Sequence, residues 1–240
     1  MMLCFLFGVS IIATAQNPES NHGNAFEDID QLLLDPNSYR GADGAPGPDY
    51  WQQKVDYKID CTLDTKANKL TGKETITYHN NSPNSLRYLW LQLDENQHAP
   101  DADNHIFNES EMRETMNERS LIFLENNKYL DKYGVNIESV TNQTGGKLKY
   151  IINKTMMRVD LPKPLKAGEK LVFNIAWNYN LIDRMNTPSW GRGGYEYFEK
   201  DGNYIYTITQ WFPRLCVYND VEGWQNKQFT GRGEFALQFG

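Results

Sequence analysis

The chain reads as a mainly β protein, an antiparallel β-sandwich with a partly helical insertion around residues 94–130. Three observations predict this. Apolar and polar residues alternate with a period of two over much of the chain from Tyr50 onward, the spacing that places successive side chains on opposite faces of a strand. Aromatic residues make up 13% of the chain, with 14 Tyr and 6 Trp, and large flat side chains suit a pleated surface. Runs of strand length are separated by breaks rich in turn-forming residues, which is the pattern of a sandwich rather than of a helical bundle.

The elements follow in order. Val55, Tyr57, Ile59, Cys61 and Leu63 alternate with Asp56, Lys58, Asp60 and Thr62, a strand with one wet face. A turn at Lys66-Ala67-Asn68 leads into Leu70–His79, completing a hairpin. Between Ser85 and Leu93, one face carries Leu86, Tyr88 and Trp90 and the other Leu89, Leu91 and Leu93. Apolar residues on both faces predict a central strand covered on both sides. Residues 94–130 interrupt the pattern with polar sequence, and a helix is predicted near Glu109–Glu118. Strands resume at Val135–Val140, Lys147–Ile152 and Met156–Leu161, break at the turn-rich Pro162–Glu169, and continue at Lys170–Tyr179, Tyr204–Phe212 and Glu234–Phe239. Phe235, Leu237 and Phe239 alternate as in a strand that needs a partner, so the expectation is a chain that forms the front part of a longer protein.

Three segments are expected. Residues 1–15 read as a secretory signal: the apolar run is too short to span a bilayer, and Ala13-Thr14-Ala15 supplies the small residues of a cleavage site, although no Lys or Arg precedes the apolar core. Residues 16–49 form a leader, in which a short helix over Phe26–Leu34 is stopped by Asp35-Pro36 and followed by a loop over Gly41–Pro48. Residues 50–240 form the sandwich. No other segment approaches the roughly 20 apolar residues of a membrane span, so the expected location is secreted or periplasmic. The net charge of −7 with no Lys/Arg-rich run argues against nucleic acid as a partner. Cys61 and Cys216 remain after signal removal; a disulfide between them is one alternative, and a buried free thiol at Cys61 in its strand is the favoured one.

No complete catalytic site is legible. A zincin helix needs two His four residues apart with a Glu between them, and His22, His79, His98 and His105 have no such spacing. His79 is expected at a strand end, and His98 and His105 exposed in the insertion. Asp101-Ala102-Asp103-Asn104-His105 starts like a calcium loop but lacks the Gly and Glu at its sixth and twelfth positions, so a solvated acidic loop is expected. Gly191-Arg192-Gly193-Gly194 lies between strands rather than ahead of a helix, a poor phosphate cradle. Trp190, Tyr195, Tyr197 and Trp224 are candidates for stacking on sugars, with a core role as the favoured alternative.

One stretch is more specific. Thr209-Gln210-Trp211-Phe212-Pro213-Arg214, followed by Asp220 and Trp224, resembles the Thr-Gln segment that closes the N-terminal β-domain of aminopeptidase N-like (gluzincin) zinc metallopeptidases. Leu70-Thr71-Gly72-Lys73-Glu74-Thr75-Ile76, Leu89-Trp90-Leu91-Gln92-Leu93 and Pro164–Glu169 with the strand Lys170–Tyr179 are similar to other strands and turns of that domain. The resemblance runs from about Tyr50 to Gly240, and Tyr39-Arg40-Gly41 and Trp224-Gln225-Asn226 are similar to a bacterial secreted branch.

It implies a domain that caps the substrate cleft of a peptidase, with a peptide as the parent's substrate, a catalytic domain following in cis, and zinc bound in that domain rather than in this chain. It implies substrate-side positions at Gln210 and Phe212, and interdomain ties at Arg214 and Asp220. In the family, the position matching Phe212 carries a Gln or Glu that holds the substrate's free amine. Phenylalanine accepts no hydrogen bond, so the parent is expected to have an altered substrate preference or to be a degenerate enzyme. A non-catalytic module that binds carbohydrate or protein is the other reading.

Overall fold

The structure, a computed structural model, describes residues 36–103, 115–118, 121–122, 125, 131–185, 187 and 193–230. The expectations for the signal segment, the Phe26–Leu34 helix, most of Glu109–Glu118, His22, His105, Trp190, Gly191-Arg192 and the Glu234–Phe239 strand lie outside them. Twelve strands are described: β1 Lys54–Asp64, β2 Lys69–His79, β3 Leu86–Gln92, β4 Asn136–Asn142, β5 Lys149–Asn153, β6 Met156–Leu165, β7 Lys170–Asn180, β8 Gly194–Phe198, β9 Asn203–Thr207, β10 Arg214–Leu215, β11 Tyr218–Asn219 and β12 Gly223–Trp224. They form two four-stranded sheets, β1-β2-β7-β4 and β10-β3-β6-β5, and two hairpins, β8-β9 and β11-β12. Every ladder is antiparallel. The predicted mainly β, antiparallel sandwich is what the chain forms. No helix among the described residues is long and apolar enough to cross a membrane.

The alternation explains the core. On β2 the inward residues Leu70, Glu74, Ile76 and Tyr78 are buried, as are Phe173, Ile175, Trp177 and Tyr179 on β7. Opposite them, Leu89 and Leu91 of β3 pair with Val159 and Met157 of β6, and all four are fully buried. The β1–β2 turn uses its local chemistry: Asp64 accepts from the backbone of Lys66 and Ala67, and Asn68 takes the left-handed conformation that a short polar side chain tolerates. Gly72 is required where it stands, since an added Cβ would lie 2.3 Å from the Trp177 ring. Asn80, fully buried, ties the β2–β3 connection by donating to the carbonyls of Asn84 and Leu165 and accepting from Gln53 and Ser82.

Several expectations are corrected. β3 is central, but only one of its faces is sealed: Tyr88 and Trp90 are half-buried on the outer face, where Arg158 lies over the Tyr88 ring. Leu86 does not share that face, because the register between β3 and β6 shifts between Leu86 and Tyr88. β6 runs on through Pro162 and Pro164 to Leu165 rather than breaking there. The same register shift leaves residues 161–164 without partners on β3, and a proline costs no ladder hydrogen bond at such a place. Cys61 is exposed rather than buried, because β1 is an edge strand. Cys216 is the buried thiol, and the two are not joined.

Candidate functional site

The Thr209–Arg214 segment leaves the strand pattern sooner than expected. β9 stops at Thr207, and Gln210 adopts a φ of 51°, a left-handed conformation that costs a residue with a Cβ roughly 1–2 kcal/mol. That reversal throws the next two rings onto the sandwich. Trp211 packs on Trp177 at 5.8 Å between centroids. Phe212 stands edge-on to Trp211 at 5.1 Å and to Tyr57 at 5.3 Å. The Tyr57 hydroxyl accepts from the Leu215 backbone N–H at 2.9 Å, and burial, opposed by that hydrogen bond, raises its pKa well above the usual tyrosine value. Gln210, Trp211 and Phe212 are all half-buried. The structure therefore places Gln210 and Phe212 two residues apart in one strained turn, with Phe212 serving as an aromatic plug against β1.

Arg214 and Asp220 both find partners inside the chain. Arg214 pairs with Asp94, whose side chain is almost wholly buried. Asp220 accepts from Nε and Nη2 of Arg40 at 2.7 and 3.0 Å, so it holds the leader, and Arg40 also lies over the Tyr50 ring. Within the described residues, both side chains tie segments of this chain to one another.

Next to Asp94 is a feature the sequence did not announce. The 3-10 turn Asp94–His98 is buried along its whole length, five polar residues in succession. His98 is thus buried at 4% exposure rather than exposed as expected, because the insertion begins by tucking under the sandwich. Burial and the neighbouring Asp94 charge push the Glu95 carboxyl up to about 8. Glu95 Oε1 lies 3.1 Å from where a Cβ on Gly193 would stand. A second buried acid lies on β2: Glu74 is 2% exposed, neither carboxyl oxygen has a hydrogen-bond partner, and burial raises its pKa to about 9. The only sequence signal for either is a charged residue at a position whose neighbours two away are apolar or buried.

The remaining candidates separate. Tyr195 and Tyr197 of β8 face Tyr206 and Tyr204 of β9 in register and form a ladder of rings, the tightest pair being Tyr197 and Tyr204 at 4.6 Å. Its base is fixed by the Tyr206 hydroxyl donating to Asn68, and its tip is exposed. Trp224 belongs to the core, packed between Tyr78 and Tyr218. Asp103 of the acidic loop pairs with Lys154, and His79 lies 3.0 Å from Asp56 at the edge of the sheet. Among the described residues no group of three or more His, Cys, Asp or Glu side chains is placed to hold a metal.

No family model matches this sequence, and no curated protein matches it. Solved structures do. An M1 zinc metallopeptidase from Deinococcus radiodurans superposes with a TM-score of 0.34 at 14% identity, over 57% of this chain and 22% of that one. A mutant of an M1 zinc metallopeptidase from the same organism, bound to a Tyr-Ser-Ala substrate, gives a TM-score of 0.35 at 15% identity, over 65% of this chain and 28% of that one. The chain thus spans under a third of the length of these enzymes.

Proposed function

We propose that this chain is the N-terminal, substrate-cleft-capping domain of a zinc-dependent metallopeptidase of the aminopeptidase N-like kind. Its zinc, general base and transition-state groups would be supplied by a catalytic domain that follows in cis. The observation that carries the reading is Gln210: within the Thr209–Arg214 motif, a residue with a Cβ is held at a φ of 51°, and strain of this kind persists where the surrounding structure over-determines it, often at functional sites. Gln210 lines the peptide cleft, and Phe212 offers a ring where a polar amine-holding side chain would otherwise stand. A secreted or periplasmic location goes with this reading.

The test is to express the uninterrupted reading frame that contains this chain and assay it on short peptides with and without a chelator. The expected result is chelator-sensitive hydrolysis that falls about tenfold or more in kcat/KM in Gln210→Ala, the size of losing one hydrogen bond in the transition state. The 240-residue chain alone is expected to bind no zinc tightly and to cleave nothing. A frame without a His-Glu-x-x-His helix, or hydrolysis indifferent to Gln210, overturns the proposal.

The tyrosine ladder favours a second reading, a module that stacks carbohydrate on Tyr197 and Tyr204, which are 41% and 44% exposed. A saturable change in intrinsic fluorescence on titration with glycans, lost in Tyr197→Ala, would select it.

A further inference from the structure

The outer strands of the two four-stranded sheets, β1, β4, β10 and β5, are not equally protected. An edge strand presents a row of unpaired N–H and C=O groups, and folded proteins blunt such edges with charge or with very short strands. β1 carries exposed Lys54, Asp56, Lys58 and Asp60 along its length, β4 exposes Asn136 and Glu138, and β10 is two residues long. β5 has neither device between its end residues Lys149 and Asn153. It is exposed at every position, and Tyr150, Ile151 and Ile152 stand in succession at 36%, 58% and 39% exposure. Tyr150 and Ile152 pair with Val159 and Met157 of β6, both fully buried. The apolar face of the sheet therefore continues onto β5 and is left uncovered there.

A second observation identifies the occupant. Beyond β12 the chain is tied to the turn that ends β5. Gln228 Nε2 donates to the Asn153 carbonyl at 2.9 Å, and Gln228 Oε1 accepts from the Thr155 N–H and hydroxyl at 2.9 and 2.7 Å. The Phe229 N–H donates to Thr155 Oγ1 at 2.8 Å, and Thr155 is buried. Gln228 and Phe229 thus stand at the Asn153 end of β5. Thr230-Gly231-Arg232-Gly233 follows, with two glycines that let the chain reverse. Next comes Glu234–Phe239, where Phe235, Leu237 and Phe239 alternate with Glu234, Ala236 and Gln238. We propose that this segment, outside the described residues, adds to the free edge of β5 as a fifth strand of the β10-β3-β6-β5 sheet. Entering at the Asn153 end, it runs antiparallel to β5. Phe235, Leu237 and Phe239 share one face of such a strand and cover Tyr150 and Ile152, while Glu234 and Gln238 take the other face. A second copy of the chain is the rival occupant of the same edge. The tether at Gln228 favours the chain's own segment, because it makes the pairing intramolecular and raises the effective concentration. The pairing does not depend on a peptidase function, and its test uses this chain alone.

The full chain, uniformly labelled with 13C and 15N, is examined by NMR for cross-strand contacts and amide hydrogen exchange. Backbone contacts are expected between β5 and Glu234–Phe239, with the two segments running in opposite directions. In an antiparallel ladder the amides of a bare edge strand point alternately to the partner and to solvent. A bare β5 therefore protects only every second amide, whereas the proposed pairing protects those on both sides. Leu237→Pro removes a donor and cannot continue a ladder. In that variant the outward amides of β5 should exchange about tenfold faster or more, the size of one lost hydrogen bond, while those bonded to β6 and the amides of β2 stay slow. A mixture of labelled and unlabelled chains separates contacts within a chain from contacts between copies. The proposal is overturned by alternate protection of β5 in the wild type, by contacts to β5 that arise between copies, by Glu234–Phe239 contacting another strand, or by outward amides that remain equally slow in Leu237→Pro.

Discussion

The two ends of the sandwich treat buried polar groups in opposite ways. At the end where β2 passes into β3, Asn80 is fully buried, and both its amide nitrogen and its amide oxygen are hydrogen-bonded. Its backbone is tied as well, donating to Glu169 and accepting from Gly168. The Tyr78 hydroxyl and Trp51 Nε1 are exceptions there. From the middle of β2 towards the other end, burial comes without partners: Glu74, Trp177 Nε1 and the Tyr179 hydroxyl lack hydrogen bonds, and Glu95 lies beyond them. A satisfied buried amide stabilises a fold and specifies its register, whereas an unpaired buried acid costs stability and is kept for another reason. The unpaired groups lie toward the end that carries Gln210, the tyrosine ladder and Glu95.

The sharpest way to break this contrast is at Glu74. In the folded chain its carboxyl keeps its proton up to about 9, against an ordinary value of 4.5. Between those values the unfolded chain has lost a proton that the folded chain retains, so the wild type loses stability as pH rises through the window and gains nothing further above it. Glu74→Met, close in volume and free of charge, should therefore be more stable than the wild type, by a small margin near pH 4 and by roughly 3 kcal/mol or more at pH 8. Urea unfolding at both pH values measures it. A variant less stable at pH 8 would show that the acid has a partner in solution.

Asn80→Ala is the converse change and should cost about 2–3 kcal/mol, since it leaves the carbonyls of Asn84 and Leu165 and the donors on Gln53 and Ser82 without their partner. The cost should be the same at pH 5 and pH 8, because the Asn80 side chain's hydrogen-bond partners among the described residues, Gln53, Ser82, Asn84 and Leu165, do not ionise. A strongly pH-dependent loss would erase the distinction between the two ends.

The difference between those ends also marks what was legible in the sequence. Period-two alternation identified β1, β2, β3, β6 and β7, because a half-buried strand imprints its two faces directly on the residue order. The Lys66-Ala67-Asn68 turn was legible for the same local reason: its residues carry their own hydrogen bonds and backbone preference. What alternation cannot encode is which strand ends up at an edge. Cys61 follows the pattern of a buried residue and is exposed, and β5, Lys149–Asn153, is exposed at every position despite Ile151 and Ile152. Nor does polarity reveal burial when the covering comes from elsewhere in the chain, as it does for Asp94–His98. Of the candidate site, the motif at Gln210 and Phe212 was readable, but the left-handed turn between β9 and β10 was not, because glutamine is not a residue that announces one. The acids Glu74 and Glu95 were invisible for the same reason as His98.

That turn gives the smallest predicted effect and the one that bears most directly on function. Asn68 and Gln210 share nearly the same φ, 49° and 51°, but asparagine tolerates this conformation and glutamine does not. Gln210→Gly should relieve the strain and, after the added entropy of the unfolded glycine is set against it, stabilise the chain by up to about 1 kcal/mol. Gln210→Asn should fall between glycine and the wild type. If glutamine is retained for its side chain rather than for the fold, the glycine variant gains stability while the proposed parent peptidase loses activity, the trade expected where a strained residue does chemistry. A glycine variant that is less stable than the wild type would mean instead that Gln210 is held by its packing beside Trp211, and its left-handed turn would then be a cost of folding with no bearing on the cleft.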